Sequence, residues 1–238
     1  MLVQILGEKV ERALDAFDPF GEVYGVGRSI LALGTALTLV LSGPFDDRRA
    51  IGLAGLVLVA TGWRPRVTGF LHAAIAFMLQ VGQIEGGRIA SLLALLLLPV
   101  TVLDERRWHW CEPAPRALDA RERTRRLVGR ACFLLLRVQV SIFYLHASLA
   151  QLPSPEVGVV IGEWILGAGL FVRPRVRNLF LAFGVTLHFG LALAHGQWPL
   201  AVLMIGALVL YLRPLDQPFS TVMRAGLGRR IATSIRAS

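Results

Sequence analysis

The sequence predicts an all-α fold: a polytopic transmembrane helical bundle of about eight helices. Three observations carry that expectation. Of 238 residues, 55% are hydrophobic and 17% charged, with a mean hydropathy of +0.60. Soluble domains sit at about 45–50% apolar and about 25% charged. The apolar residues fall into runs close to the ~20 residues that cross a bilayer, separated by turn dipeptides. The arginines cluster between those runs. Such a chain excludes a soluble enzyme with a large extramembrane domain, and it excludes a disordered chain.

The spans read in order as Arg28–Ser42, Ala50–Trp63, Val67–Gln83, Arg88–Leu103, Leu127–Ala150, Glu156–Val172, Val176–His195 and Gln197–Leu212. Gly43-Pro44, Arg64-Pro65, Glu85-Gly86-Gly87, Pro153-Ser154-Pro155 and Arg173-Pro174 supply turn chemistry between them. Several spans are short, which calls for local bilayer thinning. The second, of 14 residues, is the weakest. Residues 1–17 put Leu2, Ile5, Leu6, Val10, Ala13, Leu14 and Phe17 on one helical face, the pattern of an interfacial amphipathic helix. Residues 18–214 form the transmembrane domain, and 215–238 form a basic tail suited to an anionic inner leaflet.

Charge orients the chain. The formal net charge is +9. With eight spans, 21 of the 25 basic residues fall on one side and only Arg48, Arg49 and Arg88 on the other, leaving Arg137 inside a span. Excess Lys and Arg marks cytoplasmic loops. The expected location is therefore a membrane, with the C-terminus cytoplasmic and the N-terminus on the same side. If the second span did not cross, the N-terminus would lie outside. No nucleic-acid recognition motif accompanies the charge, so nucleic acid is not an expected partner. Cys111 and Cys132 are too few for a disulfide framework. The first 20 residues lack the pattern of a cleavable leader.

Ionisable groups inside hydrocarbon are costly and therefore informative. The fifth span is densest in them, with Arg137, Gln139, Ser141, Tyr144 and His146, and Gln151 just beyond. Heptad spacing places Arg137, Tyr144 and Gln151 on one face, and Gln139 and His146 on another. His146, Gln151, Glu163, His188, Gln80, Gln83, Glu85 and His195 all fall toward the extracytoplasmic side. A polar chamber open to that side is expected. Arg137 sits deeper, with Glu163 as its intramembrane acidic candidate partner, as a working or merely structural pair. Trp108-His109-Trp110 reads as an interfacial aromatic anchor, and His72 as a helix–helix hydrogen bonder. No His-x-x-x-His spacing or His-Glu-x-x-His motif is present, so no metal and no cofactor is expected.

Several short motifs, in order, carry a family resemblance. They begin with Asp18-Pro19-Phe20-Gly21-Glu22-Val23-Tyr24-Gly25-Val26-Gly27-Arg28 and run on through Ser29-Ile30-Leu31-Ala32-Leu33-Gly34-Thr35. Gln83-Ile84-Glu85-Gly86-Gly87, Leu98-Pro99-Val100-Thr101-Val102-Leu103-Asp104 and Arg107-Trp108-His109-Trp110 follow. Arg137-Val138-Gln139-Val140-Ser141-Ile142-Phe143-Tyr144-Leu145-His146-Ala147 and Leu210-Tyr211-Leu212-Arg213-Pro214 complete the set. Together they resemble the sporulation-delaying protein B (SdpB) family. That family is related to the horizontally transferred transmembrane domain (HTTM) proteins, which include the vitamin K-dependent gamma-carboxylase. The resemblance implies a bacterial membrane protein that matures a secreted peptide toxin or bacteriocin, with a secreted peptide precursor, a small SdpA-like protein and membrane lipids as partners. The sequence departs from the carboxylase-like pattern twice. Gln151 stands where those relatives carry a lysine base, and glutamine is no general base at neutral pH. Only Pro153-Ser154-Pro155 stands where a Trp-containing segment is usual.

The expected function is an integral membrane subunit for maturation or export of such a peptide. The alternative is a membrane enzyme of carboxylase or oxidoreductase type acting on a lipid, quinone or peptide. A transporter is disfavoured because no broken-helix pair or repeat is evident. The candidate catalytic residues are His146 and His188, which would handle protons or hydrogen-bond a peptide, and Glu163, which would counter the charge. Arg137, orienting the site or holding a carboxylate, would bind with Gln139, Tyr144, Gln151, Gln83 and Glu85.

Overall fold

Charge ends an apolar run in a sequence, but it does not end a helix, and several observed helices start before the expected spans for that reason. The computed structural model describes residues 19–84, 86–110, 119–150 and 157–213. The expected interfacial helix 1–17, the tail 215–238, Glu85, Cys111 and Gln151 lie outside the described residues. Eight α-helices are present among the described residues: α1 Glu22–Leu41, α2 Asp47–Thr61, α3 Pro65–Val81, α4 Gly87–Leu103, α5 Ala120–Ala150, α6 Val157–Gly167, α7 Pro174–His195 and α8 Trp198–Leu212. Helix α6 continues as a 3₁₀ turn, Ala168–Phe171.

The largest difference from the expected spans has a clear cause. Helix α5 begins seven residues before the expected span because Asp119 caps it, accepting from the Glu122 amide at 2.7 Å. Glu122 then pairs with Arg125 at 3.1 Å and Arg126 at 3.0 Å, one turn further along the helix. At 31 residues α5 is about 46 Å long, so its charged start stands outside a ~30 Å hydrocarbon core. Helix α1 begins at Glu22 rather than Arg28, and Arg28 is buried within it, 1% exposed. The turns follow the expected chemistry. Asp46 caps α2 through the Arg49 amide at 2.9 Å, and Pro65 and Pro174 occupy first-turn positions.

Three helices, α1, α5 and the stretch Arg175–His195 of α7, are long and apolar enough to cross a membrane. Helices α4, α6 with its 3₁₀ turn, and α8 are apolar but shorter. Much of the remaining apolar surface is exposed, including Phe171, Leu179 and Leu193. Without a hydrophobic drive between helices in lipid, close backbone approach has to hold the bundle together. Helices α1 and α8 show it. A Cβ on Gly34 would lie 2.7 Å from the Leu203 amide nitrogen, one on Gly206 would meet Leu31, and one on Gly27 would meet Leu210. These pairings run in opposite directions along the chain, so α1 and α8 are antiparallel. His72 joins α3 to α1: Thr35 gives its proton to the Leu31 carbonyl, so the His72 Nε2–H donates to Thr35 Oγ1 at 3.0 Å.

The bundle has two polar ends. One carries the α1 start, the α2–α3 turn, the α4 end and the α5 start, and it is rich in arginine. The other carries the α1–α2, α3–α4 and α7–α8 turns.

Candidate functional site

The 3₁₀ turn after α6 sets the site. A helix end leaves carbonyls without internal donors. Here the Gly167 carbonyl receives Ser141 of α5 at 2.5 Å, and Tyr211 of α8 donates to the Leu166 and Gly167 carbonyls at 3.1 Å. These bonds fix α6 in register between α5 and α8. Glu163 then falls one turn toward the arginine-poor end and Tyr144 of α5 lies beside it. Tyr144 is fully buried, and its hydroxyl meets His188 Nε2 of α7 at 2.7 Å. Glu163 and His188 are 7% and 6% exposed. Glu163 is close enough to act electrostatically on Tyr144.

Glu163 and His188 line a cavity of about 410 Å3, together with Phe143, His195, Gln197 and Met204. A second cavity of about 580 Å3 adjoins it, bounded by Thr38, Ser42, Gln83, Gly86, His195 and Gln197. His195, Gln197 and Leu200 belong to both. A carboxylate, imidazoles and amides in one accessible space can hold a polar guest, and the Tyr144–His188 pair can pass a proton between the cavity and the helix interface. Among the described residues no group of three His, Cys, Asp or Glu is placed to hold a metal ion.

The structure therefore brings together Tyr144, Glu163 and His188, and it adds Gln83 in the adjoining cavity. It places three further expected residues elsewhere, Glu85 and Gln151 lying outside the described residues. His146 is exposed on α5 and lines neither cavity. Gln139 is half-buried and lines a small apolar crevice with Ile89, Leu93 and Met204. Arg137 donates to the Arg213 carbonyl at 3.2 Å, toward the arginine-rich end. Arg137 and Glu163 lie one turn to either side of the Ser141–Gly167 contact, about 12 Å apart along the bundle. Helical side chains lean toward their own N-termini, so in antiparallel α5 and α6 these two lean away from each other.

Sequence reasoning missed His195 as a shared wall, and it missed Gln197, Thr38 and Ser42 altogether. The signal was available only in the turns: His195-Gly196-Gln197 is a polar break between two apolar runs. It also missed a buried cluster at the opposite end. Arg28 donates to His109 Nδ1 at 3.1 Å and to Thr68 Oγ1 at 2.6 Å. Arginine can only donate, so Nδ1 accepts and the Nε2–H faces Ser29 Oγ at 3.3 Å. Ser29 in turn donates to the Ala60 carbonyl at 2.5 Å. His109 is 1% exposed, not an interfacial anchor, while Trp108 and Trp110 beside it are exposed. Burial, with Arg28 and Arg106 nearby, pushes the His109 pKa down to about 3.

An all-helical bundle with membrane-length apolar helices and a polar cavity at one end defines a helical membrane protein. Within that class the chain is SdpB-like. It is 26% identical to sporulation-delaying protein SdpB of Bacillus subtilis (strain 168), over 87% of this chain and 86% of that one. It is 27% identical to Uncharacterized protein YitO of the same organism, over 88% of this chain and 92% of that one. No protein-family model matches the chain, and no solved structure matches it.

Proposed function

We propose that this chain is a multi-pass subunit of a bacterial plasma membrane that acts in the maturation or export of a secreted peptide toxin or bacteriocin. The observation that carries the reading is the SdpB similarity, which spans nearly the full length of both chains rather than one helix pair. The cavity supports it, because it holds hydrogen-bonding groups at one end of the bundle. The charge bias supports a cytoplasmic arginine-rich end, which would turn the cavity outward, and the antiparallel α1 and α8 fit termini on one side. A secreted peptide precursor, a small SdpA-like protein and membrane lipids are the partners of this reading.

One observation favours a second reading. Tyr144 and His188 at 2.7 Å, with Glu163 adjacent, are a proton-handling arrangement. A membrane enzyme of carboxylase or oxidoreductase type, acting on a lipid, quinone or peptide, would use it.

The test compares secreted peptides from cells carrying the wild-type gene, Glu163→Gln, His188→Gln and a deletion. The reading expects the deletion to remove a mature peptide and both variants to reduce it. An unchanged peptide profile in the deletion strain overturns the function. A lost peptide in the deletion with normal processing in both variants, at normal expression, overturns the site.

A further inference from the structure

The two cavities differ in chemistry while sharing a wall. The His195-Gly196-Gln197 turn between α7 and α8 forms that wall. The first cavity holds a carboxyl group, Glu163, beside the imidazoles of His188 and His195. Among its described lining residues the second carries the hydrogen-bonding side chains of Gln83, Gln197, Thr38 and Ser42, along with the shared His195. Gly196 adopts φ +72°, and a side chain there would meet nothing within 4 Å, so bare backbone faces open space at the junction.

Each part selects a guest. A carboxylate in a partly desolvated cavity attracts a cation and repels a carboxylate or phosphate. Amide side chains carry both a donor and an acceptor, matching the alternating N–H and C=O of an extended peptide. Resting on the reading that this chain handles a secreted peptide, we propose that the two cavities form one groove for an extended peptide segment bearing a primary ammonium group. Glu163 takes the ammonium, and Gln83 and Gln197 take the neighbouring backbone. The ammonium belongs to a lysine side chain or to a free amino terminus.

The test uses the full-length protein in lipid nanodiscs and a hexapeptide of alanine and serine with an uncharged fluorophore at its C-terminus. The probe has three forms: N-acetylated with one lysine, N-acetylated with that lysine acetylated, and free at the N-terminus with no lysine. Anisotropy should show at least one ammonium-bearing form binding about tenfold tighter than the acetyl-lysine form, as a charge-assisted hydrogen bond implies. The two ammonium-bearing forms identify the source by which of them is favoured. Glu163→Gln should abolish the preference, leaving the ammonium-bearing forms no tighter than the acetyl-lysine form. Gln83→Ala with Gln197→Ala should weaken all three forms alike. Equal binding of the three forms by wild-type protein, no binding of any, or a preference that survives Glu163→Gln overturns the proposal. The outcome separates from that of the cellular assay. A probe preference without any peptide change in the deletion strain fails the functional reading alone. Lost maturation without a probe preference fails the groove alone.

Discussion

Arg28 of α1 and His109 of the α4–α5 connection, 81 residues apart in sequence, are joined by a 3.1 Å hydrogen bond in the buried arginine-rich end of the bundle. The bond ties a loop to the start of the first helix. It works only while His109 is neutral, because Arg28 has nothing to accept with.

That dependence sets a pH response. The folded His109 pKa of about 3 lies below the ordinary value of 6.5. Between those values the unfolded chain binds the extra proton, so stability rises with pH across the window. The contribution is complete above about pH 6.5 and is lost as pH falls toward 3. Thermal melts in detergent should show the midpoint falling as pH drops below 6.5, and His109→Gln should flatten part of that slope. A variant with the wild-type slope would show that His109 is not the group responsible.

At neutral pH, His109→Ala leaves the buried guanidinium without this acceptor. The expected cost is about 1.5–3 kcal/mol, typical of a hydrogen bond to a charged group. Arg28→Met removes the charge itself and should cost less than His109→Ala if desolvation of the guanidinium dominates. Denaturant titration of the two variants decides the order.

Close approach of α1 and α8 gives a sharper contrast. Gly34→Ala puts a methyl 2.7 Å from the Leu203 backbone nitrogen, which cannot give way as a side-chain tip can. About 1–3 kcal/mol of destabilisation is expected. Gly158→Ala, in open space on α6, should be neutral or slightly stabilising because alanine favours helix. Equal melting temperatures for the two variants would contradict the packing.

Tyr144→Phe keeps the ring and removes the hydroxyl that meets His188. Loss of a neutral hydrogen bond costs about 0.5–1.5 kcal/mol, small enough to leave the protein folded. Peptide maturation should fall with it if the pair handles protons, and should persist if the cavity only binds. His146, exposed on α5, can be reached only from outside the cavity. His146→Ala therefore reports on a partner or ligand contact at the outer surface of α5.

How much of this was legible in the sequence depends on which property encoded it. Apolar run length located all eight helices, because a long apolar run has to be buried against neighbouring helices or in an apolar solvent. Helix ends were less legible: Asp119 and Glu122 extend α5 by capping, which hydropathy does not see. The clustering of Glu163 and His188 followed from depth alone. Their separation from Arg137 did not, since it depends on a register set by Ser141 and the Gly167 carbonyl. Arg28 looked like a loop arginine because it borders an apolar run, and only its partners on α3 and the α4–α5 connection show it to be interior.

Orientation is open to direct chemistry. Phe45, in the α1–α2 turn, is 61% exposed at the arginine-poor end, and Thr124, near the start of α5, is exposed at the other. With Cys111 and Cys132 replaced by serine, Phe45→Cys should react with an impermeant maleimide on intact cells. Thr124→Cys should react only after lysis, because arginine-rich loops are retained in the cytoplasm. The reverse pattern would turn the cavity toward the cytoplasm and remove the route by which it meets a secreted peptide. Labelling of both sites on intact cells would mean that α2, α3 or another short helix fails to cross.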